Sequence, residues 1–139
     1  MFQQILVPVD FTKKNRNALD IAVNLAKTEQ STVSVLHVIE LIFDTPVEEF
    51  KTFYTTLEKQ AAQKMQQLLA PYTGATVKLE QKIIYGSRVQ AISRFAQEQN
   101  ADLIVMNSHK IDLNEPTQGW GTISYKVSIL ADCPVLLVK

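Results

Sequence analysis

A single cysteine, Cys133, rules out an internal disulfide framework and every metal site built from several cysteines. Glycine is scarce, with four residues in 139, and none of the glycine-dependent catalytic or phosphate signatures can be written from them. There is no Gly-x-x-x-x-Gly-Lys-Ser/Thr, no Gly-x-Gly-x-x-Gly and no Gly-x-Ser-x-Gly elbow. Charge of one sign is lacking too. Fourteen basic side chains balance fourteen acidic ones, so no global field draws the chain to nucleic acid or to an anionic membrane, and neither is expected as a partner. No apolar run reaches the roughly 18 residues of a membrane helix, and Met1-Phe2-Gln3-Gln4-Ile5 does not read as a basic leader. A soluble, cytoplasmic protein is expected.

What is present is a hydrophobic content of 46%, enough for one compact domain over residues 1–139. Ile5-Leu6-Val7-Pro8-Val9 and Asp102-Leu103-Ile104-Val105-Met106 are nearly continuous apolar runs, as strands buried on both faces require, and Pro134-Val135-Leu136-Leu137-Val138 ends the chain as a further apolar strand. Thr32 to Ile39 is rich in β-branched residues and predicts another strand. Val77, Leu79 and Ile83 alternate with Lys78, Glu80 and Lys82, which predicts a half-exposed strand at the sheet edge.

Between these runs the spacing changes to that of helices. Ala18, Ile21, Ala22, Leu25 and Ala26 mark the first, with Thr12 available as its cap. Phe50, Phe53, Leu57, Ala61, Met65 and Leu68 mark the second and longest, from Val47 to about Leu69. Gly86-Ser87 introduces a third, carrying Val89, Ile92, Phe95 and Ala96, and Ile123, Val127 and Leu130 outline a fourth.

Strands alternating with helices predict an α/β fold: an open, doubly wound, Rossmann-like parallel sheet of five strands in the order 3-2-1-4-5. Ligands of such sheets sit where the strand order reverses, outside the carboxyl ends. Asp10 to Thr12 and Asn107 to Lys110 fall there. An apolar fifth strand also leaves an unpaired edge, so a homodimer through Pro134 to Val138 is expected.

The ordered set Ile5-Leu6-Val7-Pro8-Val9-Asp10, Leu36-His37-Val38, Gly86-Ser87, Ala101-Asp102-Leu103-Ile104-Val105-Met106, Ser108-His109 and Cys133-Pro134-Val135-Leu136-Leu137-Val138 resembles the universal stress protein family along the whole chain. The resemblance implies a cleft for ATP or AMP, with Mg2+ accompanying the nucleotide. Pro8, Asp10 and the backbone of Val38 fall on its adenine side, and Asn107, Ser108, His109, Lys110, Gly121 and Thr122 on its phosphate side. ATP-binding members carry Gly-x-x-Gly, a spacer of about nine residues, then Gly-Ser/Thr, because glycine lets backbone N–H groups approach an anion. Here Asn107 and Lys110 replace the leading glycines, and the spacer Ile111 to Trp120 has ten residues, including Pro116 and a bulky indole.

Two functions follow from the resemblance: a non-catalytic regulatory homodimer acting in stress tolerance through protein contacts, or a nucleotide sensor using Asp10, Val38 and Gly121. A phospho-receiver would need an acidic pair by the first strand and an aspartate ending the third. The chain offers only Asp10 and then Ile84-Tyr85-Gly86. His37 reads as a strand-end histidine with its polar edge satisfied, and neither it nor His109 is assigned a catalytic role. Lys13, Lys14 and Arg16 crowd the first turns of a helix, where its dipole disfavours cations, so they read as a solvated face or as neighbours of an anion.

Overall fold

The computed structural model of the chain describes residues 1–41, 47–108, 114 and 122–139. Five strands, β1 (Gln4–Pro8), β2 (Thr32–Glu40), β3 (Lys78–Gly86), β4 (Leu103–Asn107) and β5 (Val135–Val138), form one parallel sheet in the order β3-β2-β1-β4-β5. Helices α1 (Asn15–Glu29), α2 (Lys51–Leu69), α3 (Arg88–Glu98) and α4 (Ile123–Leu130) make the crossovers. The sheet order matches the sequence expectation.

The runs of β1 and β4 are buried on both faces because successive side chains of a strand point to opposite sides, whereas the run of β5, at the sheet edge, is only partly buried and exposes Leu136. Ile5, Val7, Val33, Val35, Leu103 and Val105 pack with α1 and α2 through Leu19, Ala22, Met65 and Leu68. Leu6, Leu36, Val38, Ile104 and Met106 pack the other way, against Ile92, Ala96 and Val127 of α3 and α4. No helix among the described residues is long and apolar enough to cross a membrane.

Three local expectations are corrected. Thr12 does not cap α1, whose N-cap is Lys14, without a side-chain bond. The Thr12 hydroxyl donates instead to Asp10 Oδ1 at 2.7 Å, since a threonine two residues after an aspartate closes a local turn. In α2 the apolar stripe starts late. Phe50 and Phe53 are exposed, and Tyr54 takes the buried place, 2% exposed and edge-on to Tyr85 at 5.7 Å. A 3-10 turn over Val47–Phe50 precedes the helix, and within α2 the buried face runs through Tyr54, Ala61, Met65 and Leu68. Leu130 lies on the predicted stripe of α4 yet is 58% exposed, since α4 turns Ser124 and Val127 inward and ends at Leu130.

The register shapes the functional end of the sheet. Pro8 pairs with Leu36, but β2 continues beside β3 until Glu40 faces Gly86. His37, Val38, Ile39 and Glu40 therefore run past the end of β1, and the space above Pro8 is left open.

Candidate functional site

That space is a cleft of about 550 Å3 at the carboxyl ends of β1, β2 and β4. Of the residues singled out in the sequence, Pro8, Asp10, Val38, Asn107 and Thr122 line it. Ser108 is not among the lining residues. It is buried, its N–H donates to the Val138 carbonyl at 2.8 Å, and its hydroxyl accepts from Lys139 Nζ at 3.2 Å. His109, Lys110 and Gly121, with Pro116 and Trp120 of the spacer, lie outside the described residues.

The turn from β1 into α1 builds one wall. Asp10 Oδ1 accepts from both the N–H of Thr12 at 3.0 Å and its hydroxyl. The carboxylate's other polar neighbour is the Asn15 side chain. Burial pushes the Asp10 pKa up, but the bonds from Thr12 and Asn15 outweigh it and hold the group below its ordinary 3.8, so the cleft keeps an ionised acceptor there. Phe11 follows at φ 66°, a left-handed conformation uncommon for a bulky residue.

The wall over β2 is made by backbone. Leu36 directs its carbonyl toward β1, where the Val9 N–H donates to it at 2.8 Å. By the two-residue period of a strand, Val38 turns its own N–H and C=O the same way. At that level β1 has ended, so a donor and an acceptor stand side by side on the cleft.

Sequence reasoning missed four contributors. His37 lines the cleft, stacks on Phe11 with ring centroids 4.2 Å apart, and donates from Nδ1 to the Val9 carbonyl at 2.9 Å, which leaves Nε2 as an acceptor. Its polar edge is satisfied as expected, but its position is on the site rather than beneath it. Burial lowers its pKa, Arg88 and Lys64 add to the lowering, and the Val9 bond and Asp10 oppose it. Lys64 on α2 and Arg88 on α3 close the outer end, Arg88 pairing with Glu40 at 3.0 Å. Nothing in their spacing marks them, because they arrive from two different helices. Asn15, only 2% exposed, read as one more helix residue.

Thr122 begins α4 in an extended conformation and makes no side-chain cap. Its hydroxyl lies 3.3 Å from Ser124 Oγ instead. Among the described residues no His, Cys, Asp and Glu cluster could hold a metal ion. Cys133 is half-buried away from the cleft, and burial pushes its thiol above 9.0.

An open doubly wound sheet with a cleft at its reversal, walled by strand-end backbone and one carboxylate, defines an α/β domain of Rossmann-like type with its cleft where ligands of such sheets sit. The chain belongs to the universal stress protein family, whose profile matches residues 1–139. It is 30% identical to universal stress protein YxiE of Bacillus subtilis over the full length of both chains. The solved structure of MJ0577 of Methanocaldococcus jannaschii superposes with a TM-score of 0.84 at 27% identity, covering all of this chain and 96% of that one. A universal stress protein from Archaeoglobus fulgidus, solved in complex with dAMP, shares the fold with a TM-score of 0.73 at 19% identity, over 99% of this chain and 98% of its own.

Proposed function

We propose that the chain is a non-catalytic regulator that takes an adenine nucleotide in the cleft and acts through protein contacts. The observation that carries this reading is the pairing of the Val38 N–H and C=O on the strand edge beyond Pro8. A neighbouring donor and acceptor match the ring nitrogen and amino group on one edge of adenine. Asp10 Oδ2 adds an anionic acceptor for an amino or hydroxyl group, and Ile92 and Met106 supply apolar surface for the base. The nucleotide phosphate would lie toward Thr122 at the start of α4, where backbone N–H groups and the helix dipole favour an anion. Magnesium would accompany ATP through the phosphates, since the described residues offer it no ligand cluster. The dAMP complex of the Archaeoglobus protein agrees with a nucleotide in this fold, but at 19% identity its likeness speaks to the fold alone, and the reading rests on the cleft.

A second reading, a homodimer that works without nucleotide, is favoured by the replacement of two phosphate-loop glycines by Asn107 and Lys110. Calorimetric titration of nucleotide-stripped protein with AMP and with ATP, with and without magnesium, separates the two. Saturable binding that Asp10→Ala abolishes is the expected result. Absence of heat at millimolar nucleotide, with the protein folded, overturns the nucleotide reading and leaves the second.

A further inference from the structure

The side chain that stands in place of the first phosphate-loop glycine is tied directly to the turn that presents Asp10. Asn15 Oδ1 accepts from the N–H of Asp10 at 3.1 Å and of Phe11 at 2.7 Å. With that oxygen committed to two donors, the Asn15 amide has one possible orientation, and its Nδ2 donates to Asn107 Oδ1 at 3.1 Å. Asn107 closes the circuit by donating from Nδ2 to the Lys14 carbonyl at 2.8 Å. Three hydrogen bonds thus join the end of β4 to the two amides flanking the Asp10 side chain, through an asparagine that is almost fully buried, and a fourth ties Asn107 to the Lys14 carbonyl.

The circuit accounts for the conformation of Phe11. A bulky residue stays at φ 66° only where its surroundings over-determine it. Here the Phe11 N–H is held by Asn15 while its ring rests on His37. A glycine at 107 makes neither side-chain bond, and the almost fully buried Asn15 amide then loses the Asn107 Oδ1 acceptor that fixes its orientation.

We infer that Asn107 is a positioning residue: through Asn15 it fixes the β1–α1 turn and aims Asp10 into the cleft. In this chain the substitution of the family's glycine is therefore part of the ligand site and no vestige of a lost one. The ligand-binding half of this inference rests on the proposed nucleotide site, whereas the clamp itself does not.

The test is Asn107→Gly, the change that restores the family's residue, with Asn107→Ala as a second variant should the glycine fail to fold. Amide hydrogen exchange in the ligand-free protein and AMP titration are both read. Exchange at Asp10 and Phe11 should quicken by about tenfold while the β2–β3 amides keep their protection, and AMP affinity should fall by about tenfold. Unchanged exchange at those two amides, or affinity equal to or tighter than wild type, overturns the inference. Faster exchange with unaltered affinity overturns the positioning role. If the wild type takes up no AMP, the nucleotide reading fails by itself, and the exchange measurement still decides whether the clamp exists.

Discussion

At the scale of single residues, the cleft carries two titrating groups held below their ordinary values, Asp10 by local bonds and His37 by burial and neighbouring cations. Asp10 is kept ionised by Thr12 and Asn15 against the opposing effect of burial. A carboxylate whose folded pKa is depressed stabilises the fold above its unfolded value and loses that contribution as pH falls through the folded one. Thr12→Val removes the hydroxyl bond to Oδ1 and leaves the N–H, so the Asp10 pKa should rise toward 3.8, as an NMR titration of its carboxyl carbon would read. His37 carries the opposite sign. Burial and the cations Arg88 and Lys64 disfavour its protonated form in the folded protein, so the unfolded chain binds more protons just below 6.5. Stability should fall as pH drops from above 6.5 toward the lower folded pKa. His37→Gln, which lacks the titrating ring and can still donate to the Val9 carbonyl, should flatten that dependence in thermal melts taken on both sides of 6.5.

At the scale of elements, the crowding of cations at the start of α1 finds its explanation on another helix. Arg16 donates to the carbonyls of Gln67 and Leu68 in the last turn of α2 and lies over the Tyr72 ring at 5.8 Å. A guanidinium satisfies carbonyls that the α2 ladder leaves unpaired and complements the negative end of its dipole. Arg16→Met, which keeps most of the aliphatic stem, should therefore cost about 1–3 kcal/mol, read from the midpoint of urea unfolding. The same case shows what the sequence can convey. Strands β1 and β4 were legible because burial on both faces demands runs such as Leu103-Ile104-Val105-Met106, and β3 because an edge alternates. The start of α2 was illegible because Phe53 and Tyr54 are adjacent aromatics that both fit a helical spacing, Phe53 to Leu57 and Tyr54 to Ala61, and Tyr54 is the one buried. Asp10 and Asn107 could be placed from strand ends alone, and Val38 from the family resemblance. Lys64, Arg88 and the partners of Arg16 could not, since each contact joins elements whose separation along the chain carries no periodic signal.

For the molecule as a whole, the open question is what covers the edge of β5. Among the described residues β5 pairs only with β4, and its carbonyls at Pro134 and Val138 are turned inward to Ile104 and Ser108. By the strand period, the N–H and C=O groups of Val135 and Leu137 face away from β4 and lack a strand partner. Exposed apolar side chains cluster at this end of the sequence, Ile129 at 79%, Leu130 at 58% and Leu136 at 40%. An apolar strand with an unpaired edge is a template for another chain, and a second copy offers the same strand by two-fold symmetry. A homodimer through Val135–Val138 is accordingly the assembly we expect. Leu136 is the position to change, since it lies outside both core clusters and a lysine there sets like charges against each other across the axis. Leu136→Lys should convert dimer to monomer in sedimentation equilibrium while its circular dichroism and AMP titration stay those of the wild type, as the cleft lies at the carboxyl ends of β1, β2 and β4. A wild-type protein that sediments as a monomer at every concentration removes the dimer from the proposal. A dimer indifferent to Leu136→Lys moves the contact to another face, and the apolar residues of α4 are then the next to test.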